Sequence, residues 1–299
     1  MIDLSVNIAG LKLKNPVMTA SGTFASGKEY NQFFDVSALG AIVTKGVSYE
    51  PWQGNKTPRI AETHGGMLNS IGLENKGFYK FAEEDVPFLK DLNTHTIVNL
   101  CGKTIEEYVK IAKAFNEVDG IDAYELNISC PNIKEGGMAF GTDPKAVDAV
   151  VRAVKKELKA PLIVKLSPNV TDITLIAKTA QEAGADAISM INTLGGMQID
   201  IKRKKPILST TYGGLSGPAI KPVAVAMVHK VAQVVDIPII GMGGISTAED
   251  AIEFLMAGAT AIAVGTANFA NPTITLDIIA GIENYMRENN LNTISQIKM

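Results

Sequence analysis

The sequence predicts a single α/β domain over residues 1–299 that folds as a (β/α)8 (TIM) barrel, with its active site at the C-terminal ends of the strands. Short apolar, β-branched runs alternate with amphipathic stretches of helical period, which is typical of a parallel sheet covered by helices. About eight such units in roughly 250 residues fit a barrel. The glycine-rich turns come late, at residues 241–244 and 265–266, where a barrel places a phosphate site. A doubly wound sheet, the structural alternative, would have its glycines after the first strand.

Eight segments are predicted to be the barrel strands because each is a short apolar run rich in β-branched residues. In chain order they are PVMTAS near residue 16, AIVTKG near 41, TIVNLCG near 96, AYELNIS near 123, PLIVKLS near 161, AISMINT near 187, IPIIGMGG near 237 and AIAVGTA near 261. GMGGIS lacks the spacing of a dinucleotide fingerprint, and GGLSGP is expected to lie in a loop. A Rossmann-type dinucleotide site is therefore not expected on this chain.

The segments between the strands include four helices with predicted starts and three long loops. The starts are Thr104 with Glu107 as a capping box, Asp143 before a proline, Asp172 and Thr247. The helices that begin after Asp172 and Thr247 both end near glycine, as helices often do. The long interruptions are residues 48–76, 131–142 and 194–219, and we expect them to be lids or binding loops.

The balance of charge argues against a surface that binds polyanions. The chain has 28 basic and 31 acidic residues, a net charge of -3, and its one basic run, residues 202–205, is short enough to be a solvated loop. The N-terminal segment has neither a basic leader nor a long apolar run. We therefore expect a cytoplasmic protein with no nucleic-acid partner and no membrane anchor.

Cysteine and histidine usage argues against a disulfide framework and a metal site. Cys101 and Cys130 are the only cysteines, and two thiols cannot supply the four thiolates of a typical iron-sulfur cluster. Any such centre would lie on another chain. His64, His95 and His229 are scattered without the spacing of a metal motif, so no metal is expected.

Polar or ionisable residues appear where the predicted strands end. They are Lys45, Asn99, Asn127, Lys165, and Asn192 with Thr193. In a parallel barrel these ends lie on one face, which is where barrel active sites are built. The pattern therefore gathers groups that are distant in sequence around one pocket.

The two strand-end lysines are compatible with more than one role. Lys165 lies within an apolar strand, and an isolated buried ammonium needs an anion or an electron-rich acceptor nearby. A structural ion pair and a site residue satisfy that need equally well. A Schiff-base lyase that uses Lys165 or Lys45 also stays open, because desolvation frees the lone pair of an amine. The glycine turns alone would fit a non-catalytic protein that binds a phosphate ligand.

Four asparagines occupy similar positions near strand ends. An asparagine there commonly caps local backbone. Four in equivalent neighbourhoods fit better a ligand that is rich in amide-like donors and acceptors, because the asparagine side chain offers both. The four are Asn69, Asn99, Asn127 and Asn192.

The two cysteines have different predicted roles. Cys101 in NLCG is expected to be a buried small hydrophobe. Cys130 could also be a packing residue, but Pro131 biases it towards an extended conformation, and two glycines at 136–137 mark a loop just beyond. A thiol with a pKa near 8.5 can act as a nucleophile or a general base near neutral pH. Function is therefore favoured over packing at Cys130.

Seven segments along the chain form one set: ASGTF at 20–24, TKGVS at 44–48, NSIGLEN at 69–75, ELNISCPN at 125–132, INTLGGMQID at 191–200, GGLSGPAIKP at 213–222 and IIGMGGI at 239–245. Together they resemble the class 1 dihydroorotate dehydrogenases from about residue 4 to about residue 288. The cysteine in NISCPN separates the set from the membrane-associated class 2 enzymes, which carry a serine base and an N-terminal extension not seen here. INTLGGMQID and GGLSGPAIKP resemble the NAD-linked subclass 1B more than the fumarate-dependent subclass 1A.

The resemblance implies an FMN-dependent flavoprotein oxidoreductase that converts dihydroorotate to orotate in pyrimidine (UMP) biosynthesis. In subclass 1B the chain with FMN pairs with an electron-transfer subunit that holds FAD and a 2Fe-2S cluster and passes electrons to NAD. A homodimer core within a heterotetramer is the assembly that the resemblance implies. This agrees with the separate expectation that this chain has no cluster ligands and no Rossmann fingerprint.

The resemblance also implies a role for each motif residue. Cys130 resembles the general base that removes the C5 proton of dihydroorotate while hydride leaves C6 for flavin N5. The substrate set is Lys45, Asn69, Ser70, Ile71, Gly72, Leu73, Asn127, Asn192 and Thr193. The FMN set is Ser21, Lys45, Gly46, Asn99, Asn127, Lys165, Ile191, Gly217, Gly243, Gly244, Gly265 and Thr266. Lys165 would be the cation near the N1–C2=O edge that stabilises the negative charge of the reduced flavin.

Overall fold

The structure is a computed structural model that describes residues 2–128 and 140–299. The chain begins with an antiparallel hairpin of β1 (Val6–Ile8) and β2 (Leu11–Leu13). Ile8 and Leu13 are fully buried and pack with inward-facing side chains of the barrel. Because the carbonyl of Lys12 lies 3.1 Å from the ring Nε2 of His95, where a barrel strand begins, the hairpin covers the N-terminal end of the barrel.

Eight parallel strands close into a barrel in which each strand pairs with the next one in the barrel, and the last pairs with the first. They are β3 (Val17–Thr19), β4 (Ala41–Val43), β7 (His95–Leu100), β8 (Ala123–Asn127), β9 (Leu162–Lys165), β10 (Ala187–Met190), β15 (Ile239–Met242) and β16 (Ala261–Val264). These are the eight predicted segments. The barrel prediction is confirmed, and the doubly wound alternative is wrong.

Helices follow most of the barrel strands. They are α1 (Gly77–Glu84), α2 (Val86–Lys90), α3 (Ile105–Phe115), α4 (Pro144–Glu157), α5 (Ile173–Glu182), α6 (Lys221–Ala232), α7 (Ala248–Met256), α8 (Ala267–Ala270) and α9 (Ile274–Glu288). Short 3-10 turns span Tyr30–Gln32, Val36–Ala38, Phe140–Thr142, Pro218–Ile220 and Ile294–Gln296. Within the two described stretches, no helix has both the length and the apolar composition needed to cross a bilayer.

The predicted helix starts are confirmed by the hydrogen bonds of their caps. Asp143 and Asp172 each accept a bond from a backbone N–H two residues on, and Thr247 forms a full capping box. Thr104 accepts from the N–H of Glu107. The Glu107 carboxylate accepts instead from the N–H of Lys103 at 2.7 Å, so the reciprocal half of that box is shifted by one residue. These caps fix where each helix begins after its strand.

The core has two layers. One layer lies between the strands and the helices and includes large side chains such as Phe254 and Tyr108. The other fills the barrel itself, where small residues such as Ala41, Ala123 and Ala187 face inward. Because alternate residues of a strand point to opposite faces, one strand serves both layers.

A four-stranded antiparallel sheet is built from two of the three long interruptions. Its order is β11 (Leu194–Met197), β14 (Tyr212–Ser216), β6 (Gly66–Asn69) and β5 (Ile60–Thr63), and a two-stranded ribbon of β12 (Ile199–Asp200) and β13 (Lys205–Pro206) accompanies it. The expectation that GGLSGP lies in a loop was wrong for residues 213–216. The glycines permit close strand contact, since a Cβ on Gly213 would lie 2.6 Å from the carbonyl oxygen of Asn69.

Candidate active site

A cavity of about 500 Å³ lies at the C-terminal ends of the barrel strands, with residues of β5, β6 and β14 forming part of its wall. This volume is in the range of small-molecule sites. Every predicted substrate or FMN position lines it: Ser21, Lys45, Gly46, Asn69, Ser70, Ile71, Gly72, Leu73, Asn99, Asn127, Lys165, Ile191, Asn192, Thr193, Gly217, Gly243, Gly244, Gly265 and Thr266. Cys130, the predicted base, lies outside the described residues.

Strand register explains why the polar floor of the cavity comes together. Asn99 of β7 pairs with Glu125 of β8, and Asn127 of β8 pairs with Lys165 of β9. Ser189 of β10 is the next partner of Lys165. Because side chains alternate in direction along a strand, Glu125 and Asn127 point to the same face of β8.

A buried ionic network lies beneath this floor. Glu125 is 1% exposed, and its Oε1 accepts a hydrogen bond from Asn99 Nδ2 at 2.6 Å. Its Oε2 accepts one from Ser189 Oγ, also at 2.6 Å. The Nζ of Lys165 lies 3.7 Å from Glu125 Oε1 and donates to Ser21 Oγ at 3.1 Å. Lys165 is therefore both an ion-pair partner and a cavity residue, so the two roles left open by the sequence coexist.

This network bears on the Schiff-base alternative. A Schiff base needs an amine with an available lone pair. Lys165 instead has a carboxylate and a hydroxyl oxygen as neighbours, which suit a fixed cation. Sequence reasoning missed Glu125, although an acidic residue inside the apolar run AYELN was a usable signal.

The asparagine at the end of β8 is held from two sides. Asn127 Nδ2 donates to Asn99 Oδ1 at 3.4 Å, and the Asn127 carbonyl accepts from the hydroxyl of Tyr108 at 2.6 Å. Cys101 is fully buried, as expected, and its Sγ lies 3.5 Å from Asn99 Oδ1. A Cβ on Gly46 would lie 2.8 Å from the same Asn99 oxygen, so the close approach of this turn requires glycine.

The segment after β6 forms one wall of the cavity. Its backbone is fixed by the carbonyl of Ser70, which accepts from Asn55 Nδ2 at 2.9 Å, and by the Ser70 N–H, which donates to the Arg59 carbonyl at 2.8 Å. The Ser70 hydroxyl is buried and has no hydrogen-bond partner among residues 2–128 and 140–299. A buried hydroxyl of this kind is an available donor for a ligand.

The segment after β10 also lines the cavity. Asn192 Oδ1 accepts from the N–H of Thr193 at 2.8 Å, and the Thr193 carbonyl accepts from Asn169 Nδ2 at 3.0 Å. The side-chain oxygen of the same residue, Asn169 Oδ1, accepts from the N–H of Gly195. Asn169 therefore holds the chain on both sides of Leu194 and was not singled out by the sequence.

Glycines at the ends of β14 and β15 form a second, neutral part of the lining. Gly217 and Gly244 have φ values of +101° and +85°. A Cβ on Gly244 would lie 2.9 Å from the Gly217 carbonyl oxygen. Nearby, Thr266 Oγ1 donates to Ser216 Oγ at 2.8 Å, and the short helix α8 begins immediately after Thr266. This arrangement is the one that barrels use for phosphate groups.

Within the described parts of the chain, no group of three or more His, Cys, Asp or Glu side chains is placed to hold a metal ion. The chemically distinctive groups of the cavity are therefore its amides, its lysines and its glycine turns. Such a set suits an organic ligand with imide-like edges and a phosphate.

Comparison with known proteins gives a consistent result. The family model described as dihydroorotate dehydrogenase matches residues 3–286. The chain is 60% identical over 297 residues to the "Dihydroorotate dehydrogenase B (NAD(+)), catalytic subunit" of Alkaliphilus metalliredigens, covering 99% of this chain and 98% of the relative. It is 59% identical over 295 residues to the protein of the same name from Alkaliphilus oremlandii, covering 99% and 97%.

A solved structure gives the same fold. The crystal structure of DHODH in complex with ferulenol from Eimeria tenella matches with a TM-score of 0.80 and covers 99% of this chain and 87% of that chain. The identity is 24%, so this likeness bears on the fold alone.

Proposed function

Because the chain belongs to the dihydroorotate dehydrogenase family, we propose that it oxidises dihydroorotate to orotate in pyrimidine biosynthesis, with FMN and substrate bound in the cavity described above. The observation that supports this most directly is the convergence of the motif positions on one cavity of suitable volume. Those positions lie in segments far apart in the sequence. Their convergence therefore reflects the fold and not local sequence order.

The residues present fit FMN. Gly217, Gly243 and Gly244 have positive φ, and at Gly217 and Gly244 a Cβ would clash with its neighbours; such turns can present backbone N–H groups to a phosphate. Asn99, Asn127 and Lys165 supply amide and cationic groups for a flavin ring. When bound, FMN supplies the acceptor for the hydride of dihydroorotate. Asn69 also lines the cavity, as does Ser70, whose hydroxyl has no hydrogen-bond partner in the described part of the chain; here the substrate set would hold the pyrimidine.

The chain itself would contribute charge and a base. Lys165 is a fixed cation whose position is set by Ser21 and Glu125, and it would stabilise negative charge that develops in the cavity. Cys130 would take the C5 proton of dihydroorotate as its thiolate. It follows Asn127 by three residues, a stretch that spans at most about 11 Å. This short separation along the chain supports Cys130 as the proposed base.

We also propose that the electrons leave through another subunit. The relatives are named as catalytic subunits of NAD(+) enzymes, which supports an electron-transfer partner. We propose that this partner holds FAD and a 2Fe-2S cluster and that two copies of the present chain form the core of a heterotetramer. We further propose that residues 1–299 act as one FMN-binding domain in the cytoplasm, where thiols such as Cys130 stay reduced.

The proposal is tested with the purified chain under anaerobic conditions. The protein should be yellow, and dihydroorotate should bleach the flavin absorbance. A colourless protein whose added FMN is not bleached would refute the function. Mixing with an FAD and iron-sulfur subunit should then give NAD reduction. Fumarate reduction by this chain alone would instead indicate the subclass 1A reaction.

A further inference from the structure

Glu125 is a buried charge to which the proposed reaction gives no part beyond holding Lys165 in place. Its side chain is 1% exposed, and that of Lys165 is 4% exposed. Burying a carboxylate is costly unless it is paired and hydrogen-bonded. Glu125 meets both conditions through Asn99, Ser189 and Lys165. Two of these partners, Asn99 and Lys165, line the cavity, whereas Glu125 itself does not.

This geometry gives Glu125 an indirect route to a ligand. Its Oε1 is shared between the Asn99 amide at 2.6 Å and the Lys165 ammonium at 3.7 Å. The carboxylate therefore orients one cavity group and offsets the positive charge of another. Water screens such interactions weakly at a site this buried, so the net charge of the pair is felt in the cavity.

We propose that Glu125 is a positioning residue that sets the reduction potential of the bound FMN by offsetting the charge of Lys165. The proposal rests on the proposed function, in which the cavity holds FMN. A flavin gains negative charge on reduction, so a nearby cation favours the reduced form and a nearby carboxylate disfavours it. With Glu125 in place, Lys165 still holds the ring, but its bias towards reduced FMN is limited. A lower potential makes onward electron transfer to an acceptor more favourable.

Glu125→Gln separates charge from packing. Glutamine has the shape of glutamate, and its Oε1 can still accept from Asn99 Nδ2. Its Nε2 can donate to Ser189 Oγ, because a hydroxyl is both a donor and an acceptor. The substitution therefore removes the negative charge while a hydrogen bond to each neutral neighbour stays possible.

The test measures the affinity of each variant for oxidised FMN and the reduction potential of its bound flavin. In Glu125→Gln, we expect the ratio of reduced to oxidised FMN affinity to rise at least tenfold, which is about 30 mV for a two-electron couple. Lys165→Gln should shift the ratio in the opposite direction. Ser189→Ala is the matched control, because it removes one hydrogen bond to Glu125 and keeps both charges. Its ratio should stay within twofold of the wild type.

Each outcome is decisive. If Glu125→Gln binds FMN and its ratio stays within twofold of the wild type, Glu125 has only a structural role and the inference is overturned. If Glu125→Gln does not fold by circular dichroism, Lys165→Gln is compared with the double variant Lys165→Gln/Glu125→Gln. The double variant should have the tenfold higher ratio, and equal ratios would overturn the inference. A wild-type chain that binds no FMN would instead refute the proposed function, and this inference with it.

Discussion

The glycine turns of the cavity provide the sharpest test of where the FMN phosphate binds. Gly244 has φ +85°, and a Cβ built on it would lie 2.9 Å from the Gly217 carbonyl oxygen and 2.8 Å from the Cβ of Lys221. Ordinary contacts begin at 3.4 Å, so about half an ångström of movement is needed. The backbone nitrogen of Lys221 would also lie 2.9 Å from this Cβ, and Lys221 is the first residue of helix α6, so the Gly217 side of the turn has to yield.

Gly244→Ala should lower both the stability of the protein and its affinity for FMN. An alanine in a left-handed conformation costs about 1–2 kcal/mol. Displacing the Gly217 turn would also weaken hydrogen bonds to a charged phosphate, each of which contributes about 1.5–3 kcal/mol. Since about 1.4 kcal/mol corresponds to a tenfold change in affinity, FMN should bind roughly 10 to 100 times more weakly.

Gly10→Ala is the matched control. Gly10 has φ +90° and no atom within 4 Å of a built Cβ, so Gly10→Ala introduces the backbone strain of an alanine at positive φ without a steric clash. Both variants should lose thermal stability, but only Gly244→Ala should lose FMN affinity in a titration of FMN fluorescence against flavin-free protein. If Gly244→Ala binds FMN within twofold of the wild type, the phosphate does not use this turn.

Three further outcomes are expected. Cys130→Ala should keep its FMN but reduce its flavin with dihydroorotate at least ~100-fold more slowly than the wild type in stopped-flow absorbance. Cys130→Ser should also be slow at neutral pH because a hydroxyl is a far weaker acid than a thiol. Near-normal rates in these variants would exclude Cys130 as the base. Burial raises the pKa of Tyr124 from 10.0 to about 12, so the stabilisation from its neutral side chain is present below pH 10 and is lost towards pH 12. In urea unfolding, the free energy of unfolding of Tyr124→Phe should therefore decline less than that of the wild type between pH 10 and pH 12. Parallel pH curves for the two proteins would contradict this. Burial of Asp250 opposes its ionisation, but hydrogen bonds from Lys221 and Ser246 lower its pKa below 3.8, so the stabilisation from the ionised carboxylate is lost as the pH falls below that value. Asp250→Asn should therefore have a lower free energy of unfolding than the wild type at pH 7, and this free energy should fall less on acidification. Equal stability at pH 7 would count against a stabilising Lys221–Asp250 ion pair.

The barrel was predictable because its signal is local. Each barrel strand is a short apolar run, and helices such as α5 and α7 begin at caps that can be identified from two or three neighbouring residues. The four-stranded sheet was not predictable in this way. Residues 213–216 have the glycines of a loop, and they form a strand because β11 and β6, from other segments, pair with them on both sides. That pairing depends on the assembled fold.

The same difference applies to the site. Asn99, Asn127 and Lys165 could be chosen because each is a polar residue at the end of an apolar strand. The role of Glu125 depends on partners 26 and 64 residues away, and the cavity position of Ser216 depends on a strand that the sequence did not indicate. Which positions carry polar cavity residues can therefore be predicted from a single strand, whereas which of these residues pair with one another depends on the register of the barrel.

In the proposed function, holding the ring and moving the proton fall to different residues of the chain. The proposed ring-binding groups Asn99, Asn127 and Lys165 lie on barrel strands, and Asn127 is fixed by a ladder to β9 and by the Tyr108 hydroxyl. Cys130 follows β8 (Ala123–Asn127) in the sequence and lies outside the described residues, and its proposed task is proton transfer. A substitution at Cys130 should therefore change proton transfer without changing FMN affinity, whereas one at Glu125 should change the flavin potential and leave the base intact. Measuring both properties in both variants would show whether the two tasks are separable in this fold.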